Sequence, residues 1–116
     1  MDWQNLRDRL SLLRMRWDLA VMANLADIDG PVRPADLIKV INAQSRGGHI
    51  TWKVLADRLR HLEADGYVAR EEVLHVPRET RYWLLPRGRR LISALERLDA
   101  WYREEDAASG SDSSSA

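Results

Sequence analysis

The chain reads as a mostly helical α+β domain, and three features of the sequence predict that class. Leu55, Leu59 and Leu62 fall at i, i+4 and i+7, an apolar stripe at helical period that begins after Thr51 and stops at Gly66. Residues 67–74 and 80–85 then alternate weakly between apolar and polar. They are joined by His75-Val76-Pro77-Arg78-Glu79, which predicts a β-hairpin with a charged tip. Further stretches at both ends and before the leucine stripe place aliphatic or tryptophan side chains at helical spacing. A chain of 116 residues has room for one domain and one core.

Taken in order, residues 3–16 carry Leu6, Leu10 and Leu13 on one face, with Arg7, Asp8, Arg9 and Arg14 between them. A second helix over 17–26 repeats Trp17, Val21 and Leu25 every fourth position. Asp27-Ile28-Asp29-Gly30-Pro31 is a turn, because Gly30 frees the backbone and Pro31 cannot continue a helix. A third helix starts near Pro34, a residue suited to a first helical turn, carries Leu37, Ile38 and Ile41 inward and ends around Asn42. A polar connection over 43–49 follows. Thr51 suits the N-cap of the next helix, since its hydroxyl can accept from a free backbone N–H, and Gly66 suits the left-handed residue that ends it. After the hairpin, Arg87-Gly88-Arg89-Arg90-Leu91 opens a last helix with Leu91, Leu95, Leu98 and Trp101/Tyr102 on one face. Residues 107–116 are Ser, Gly, Asp and Ala, too polar to pack; they predict a disordered polar tail behind a domain of residues 1–106.

The formal net charge is zero, but it is unevenly placed. Glu104, Glu105, Asp106 and Asp112 lie where there is no Lys or Arg, so residues 1–103 hold 18 basic against 14 acidic groups. That bias permits a nucleic-acid partner without requiring one. Of the cations 16 are arginine, which pairs with phosphate or guanine in a two-pronged way that lysine does not match; a coding bias explains the same excess. Absence of cysteine excludes disulfides, thiolate metal sites and thiol-based sensing. No apolar run approaches the roughly 20 residues that cross a bilayer, and Met1-Asp2-Trp3-Gln4-Asn5 is no signal peptide, so a soluble cytoplasmic protein is expected. His49, His61 and His75 show no metal-ligand spacing, and no nucleophile elbow, phosphate loop or catalytic carboxylate pair occurs. Neither catalysis nor a cofactor is expected.

Helices, a hairpin and a closing helix in that order describe a winged helix-turn-helix with added N- and C-terminal dimerisation helices. Within that order the sequence resembles the HxlR family of bacterial winged helix-turn-helix regulators, over about residues 14–101. Arg16-Trp17-Asp18-Leu19-Ala20-Val21-Met22 matches the family's basic-Trp motif before an aliphatic helix. Ile50-Thr51 with Leu55, Leu59 and Leu62 matches the start and stripe of its recognition helix. Glu63-Ala64-Asp65-Gly66-Tyr67-Val68-Ala69-Arg70 matches the closing motif; Pro77, Tyr82, Leu84 and Gly88 match the wing, and Trp101 the last helix. Three departures stand out: Arg33-Pro34 replaces the usual Arg-Phe, 42–49 is longer than the usual turn, and Leu85-Pro86 replaces a threonine. The resemblance implies a sequence-specific DNA-binding transcriptional regulator.

On that reading the N-terminal turn of the recognition helix enters the major groove, and Thr51, Trp52, Lys53 and Ala56 are best placed to touch base edges. Thr51 serves as N-cap, phosphate donor or both. Lys53 reaches guanine or phosphate, or forms an exposed pair with Asp57 worth about 0.3–0.5 kcal/mol. Asp57 accepts from cytosine N4 or, as preferred, holds Lys53 or His61 in place. Arg60 is the expected phosphate contact, while Arg58 could equally pair within the fold. Trp52 is expected to pack on the loop at 44–49 rather than touch a thymine methyl or sugar. Arg78 at the wing tip faces the minor groove or its phosphates, and Arg81 could cross-pair with Glu71 or Glu72.

Leu6, Leu10, Leu13, Leu91, Leu95, Leu98 and Trp101 exceed what a small core can cover, and a homodimer is their expected use. Twofold symmetry would set two recognition helices about 34 Å apart, on a roughly palindromic operator. Five Trp and no Phe motivate a small apolar or aromatic effector held by Trp3, Trp17, Trp101 and Tyr102. The rival reading is a degenerate winged-helix protein-interaction module that uses Trp52 and the long loop to bind a protein. Zero net charge and Asp57 favour it; the basic ordered region opposes it.

Overall fold

The computed structural model of the chain describes residues 1–11, 15–74 and 76–114. Its elements run α1 (Trp3–Ser11), α2 (Met15–Asp27), α3 (Pro34–Gln44), α4 (Trp52–Ala64), β1 (Val68–Val73), β2 (Glu79–Leu84) and α5 (Pro86–Ser114). The expected order of helices, hairpin and closing helix is therefore what forms, a mostly helical fold with one small antiparallel sheet. Leu13 and His75 lie outside the described residues.

Helical period decides which side chains go inward. On α2, Val21, Met22 and Leu25 are buried; on α3, Leu37 and Ile41; on α4, Leu55, Leu59 and Leu62. These stripes meet in one core with Val32, Ile50, Val68, Leu84 and Ile92. At about 1.5–3 kcal/mol for each large apolar side chain removed from water, this cluster is the main source of stability.

Local chemistry sets the ends of α4. Thr51 is the N-cap, its Oγ1 accepting from the Val54 N–H at 3.2 Å. At the other end Gly66 has φ +81°, the left-handed conformation that costs most residues. It lets Gly66 N–H donate to the Glu63 carbonyl (3.1 Å) and Tyr67 N–H to Leu62 (2.9 Å), which closes the helix and turns the chain into β1.

The hairpin pairs Val68 with Leu84 through Val73 with Glu79, and Val32 adds a short third edge through two 2.8 Å bonds with Tyr82. Gly88 lets α5 pass close under this sheet: a Cβ there would meet Leu84 Cδ1 and sit 2.6 Å from the Tyr67 carbonyl oxygen. Beyond Ile92 and half-buried Leu95, residues 96–109 of α5 are exposed. Residues 107–114, expected to form a disordered tail, instead continue this helix. Each residue added to an existing helix closes one hydrogen bond within the chain and needs no packing partner.

Candidate nucleic-acid interface

The connection between α3 and α4 covers residues 45–51, because α3 runs on to Gln44 and takes in two residues expected to belong to the loop. Asn42 holds the turn shut. Its Oδ1 accepts from the Ile50 N–H at 2.8 Å and its Nδ2 donates to the Ile50 carbonyl at 3.3 Å. Ser45 Oγ also donates to the Gly48 carbonyl. Ile50 turns into the core, so the next residues start α4 facing away from it.

That geometry puts Thr51, Trp52, Lys53, Ala56 and Arg60 on the exposed side of α4, opposite its leucines. Trp52 is 57% exposed, so the expected packing on the loop does not form. Ile50 occupies the inward position, and helix geometry then projects Trp52 outward. Among the described residues no carboxylate pairs with Lys53 or Arg60. The Lys53–Asp57 pair weighed from the sequence is absent because Asp57 turns elsewhere. Its Oδ2 takes Arg58 at 2.7 Å and its Oδ1 lies 3.5 Å from His61 Nδ1. The hydrogen bond from Arg58 holds the Asp57 carboxyl below its ordinary value despite some desolvation, so it stays ionised. Asp57 is thus engaged on its own helix, in the holding role, with His61 and Arg58 rather than Lys53 as partners.

Arg58 pairs within the fold. It is buried between α4 and α2, where Asp18 Oδ1 stands 3.6 Å from its Nη1. Asp57 first, through its hydrogen bond, and then Asp18 keep the guanidinium charged against desolvation. This buried pair ties α4 to the helix behind it.

The wing lies beside α4. Arg78 is exposed at the hairpin tip. Arg81 pairs with Glu79 of its own strand at 2.9 Å, although Glu71 is its cross-strand neighbour; Glu79 also takes Arg33 at 3.4 Å. This cluster takes the place of the cross-strand pair that Glu71 or Glu72 could offer Arg81.

The four aromatic residues expected to hold an effector are Trp3, Trp17, Trp101 and Tyr102. Trp17 lines a cleft of about 560 Å³ with Ala20, Ile41, Gln44, Ser45 and Arg46, while Trp3 is exposed on α1. Trp101 and Tyr102 meet edge to face at 4.9 Å, both about half exposed, far along α5. Of the residues assigned to a dimer interface, Leu6, Leu10, Leu98 and Trp101 are exposed. Leu91 and Leu95 instead pack partly on the chain's own core. Among the described residues no cluster of His, Asp or Glu could hold a metal ion, and no helix is long and apolar enough to cross a membrane.

Known proteins are similar to this chain in sequence and in fold. The chain is 37% identical over 92 residues to the uncharacterized HTH-type transcriptional regulator BH0655 of Halalkalibacterium halodurans, covering 79% of this chain and 75% of the relative. A crystal structure of a transcriptional regulator of the MarR family from Enterococcus faecalis V583 superposes with a TM-score of 0.74 at 32% identity, over 92% of this chain and 93% of that one. The reduced form of the transcriptional regulator YodB from Bacillus subtilis gives a TM-score of 0.67 at 29% identity, over 84% and 87%. The family model for the HxlR-like helix-turn-helix matches residues 12–109, which takes in α4, the hairpin and most of α5. On that match and on the likeness to these regulators, the chain belongs to the HxlR-like helix-turn-helix family of transcriptional regulators.

Proposed function

We propose that the chain acts as a homodimer on a roughly palindromic operator in double-stranded DNA, with α4 in the major groove and the wing against the adjacent backbone. The observation that carries this reading is the division of α4 into two faces. One is buried leucine; the other presents Thr51, Trp52, Lys53, Ala56 and Arg60 to solvent, with two unpaired cations among the described residues. Lys53 and Arg60 supply the charge, Trp52 and Thr51 shape the contact, and Arg78 reaches from the wing. Asp57, held by Arg58 and His61, spaces the face rather than reading a base. Regulation by a thiol switch is closed to a chain without cysteine.

Binding to duplex DNA measured against salt tests the reading, because contacts to phosphate release counterions and weaken steeply as salt rises. Lys53→Ala and Arg60→Ala should each weaken binding to a selected operator by about 1–3 kcal/mol where they touch bases. Wild-type affinity in both variants at matched salt removes the assignment. The exposed Trp52 favours a second reading, a protein-binding face. In that case the wild type binds duplex DNA weakly and Trp52→Ala changes nothing in the DNA assay.

A further inference from the structure

The recognition helix and the wing do not close on each other along their full length. Between them lies a groove of about 550 Å³ lined by Ala56, Arg60, Glu63, Ala64, Arg70 and Tyr82. Arg70 and Tyr82 are directly opposed across the hairpin, so both side chains leave the same face of the sheet. Arg60 and Glu63 reach the groove from α4, at i and i+3 on one helix face. Tyr82 is half-buried; burial pushes its phenol above its ordinary value, and the charges of Arg70, Glu63, Arg60 and Glu72 all act on it. The phenol is therefore a neutral O–H donor among two guanidiniums and two carboxylates. Arg70 is held 3.5 Å from Glu63 and 3.0 Å from Glu72, yet its side chain remains 43% exposed.

We propose that this groove is a phosphodiester site, in which Arg60, Arg70 and the Tyr82 hydroxyl take one backbone phosphate of duplex DNA, and in which Glu63 and Glu72 hold Arg70 until the phosphate displaces them. The proposal rests on the DNA-binding reading above and adds to it Arg70, Tyr82 and two competing carboxylates. Two guanidiniums and a hydroxyl converging on an open groove form a donor set for a tetrahedral anion. The pairs of Arg70 are solvent-exposed and each worth little, so a phosphate can replace them. The displaced carboxylates then face the phosphate and repel it, which lowers affinity for any duplex. They act as a threshold against weak, unspecific binding.

A phosphate contact is independent of sequence, so a pool of random-sequence DNA duplexes is a sufficient probe. Fluorescence anisotropy of that pool with the full chain, over a potassium chloride series, compares wild type with four variants. Arg70→Gln should weaken binding about tenfold and lower the slope of log affinity against log salt by about one. Tyr82→Phe should weaken binding about threefold with the slope unchanged, because a neutral donor is lost. Glu63→Gln should tighten binding about threefold, the size of an exposed ion pair, and a damaged fold would not produce that gain. Glu71→Gln makes the same charge change on the opposite face of β1 and should leave affinity near wild type. Wild-type affinity and slope in Arg70→Gln, or a Glu63→Gln gain no larger than that of Glu71→Gln, overturns the site while the DNA reading stands. A wild type with no salt-dependent duplex binding overturns the DNA reading and the site together.

Discussion

Arg58 is 5% exposed, and burying a guanidinium costs several kcal/mol unless carboxylates stand beside it; Arg58 has two of them. The two are not equivalent. Asp57 is half exposed and shares the helix with Arg58, whereas Asp18 is 3% exposed and comes from α2. Arg58→Met would leave the buried Asp18 carboxylate without its arginine and should lower the unfolding free energy by about 3–5 kcal/mol. Asp18→Asn leaves Arg58 against Asp57 and should cost less, about 1–3 kcal/mol. The double change Asp18→Leu with Arg58→Met should recover most of the loss, because two apolar side chains of similar volume suit a dry interface. Urea unfolding ranks the three variants, and an Arg58→Met protein no less stable than Asp18→Asn contradicts the ordering. This pair was readable in advance. Asp18, Val21, Met22 and Leu25 stand at i, i+3, i+4 and i+7, and so do Leu55, Arg58, Leu59 and Leu62. One acid and one base thus sit on the buried stripes of two helices, a pattern that a count of leucines alone passes over.

At the scale of the element, α4 is legible because its signals are local. A threonine cap, a leucine stripe and a left-handed glycine act within a few residues, and each forms as the sequence implies. The turn before it is not local. Its shape depends on Asn42 reaching Ile50 across eight positions, and no periodicity encodes that contact. The exposure of Trp52 follows from the same contact, since the clamp commits Ile50 to the core and fixes the start of the helix. Asn42→Ala removes both hydrogen bonds and leaves a partly buried N–H without an acceptor. The expected loss is about 1–2 kcal/mol in urea unfolding. It should be accompanied by faster amide exchange at Ile50 than at Leu59 in the core of α4. Asn42→Asp keeps the acceptor for the Ile50 N–H but sets a carboxylate beside the Ile50 carbonyl, so its loss should be smaller than that of alanine. Equal exchange at Ile50 in wild type and Asn42→Ala would show that the turn is held by something else. The Arg81–Glu79 pair was unreadable for a similar reason: strand register places Glu71 opposite Arg81, but Glu79 also binds Arg33 from the start of α3.

The whole molecule measures 66 × 34 × 24 Å, and its long axis reflects a last helix that outruns the core. Twenty-nine helical residues span about 44 Å. Its first turns pack on the chain's own core through Leu91, Ile92 and Leu95; Leu98 is 47% exposed and is followed on the same helix by exposed Trp101 and Tyr102. Leu6 and Leu10 on α1 are exposed as well. An isolated helix of that kind gains nothing from its apolar face, and burying such faces against a second copy stabilises both. Charge is also divided along the molecule. The acidic groups Glu104, Glu105 and Asp106 sit on the exposed part of α5, while residues 1–103 keep a basic excess. Leu98→Asp sets a charge in the middle of the proposed contact without touching the core, so the fold should survive while the dimer dissociates. Light scattering after size exclusion should then give the mass of one chain, and far-ultraviolet circular dichroism should remain that of wild type. Binding to a palindromic operator should fall far more than binding to a single half-site, because only a dimer engages both halves at once. A Leu98→Asp protein that keeps a dimer mass would place the subunit contact elsewhere. One that is a monomer yet binds the full operator as tightly as wild type would show that one copy suffices.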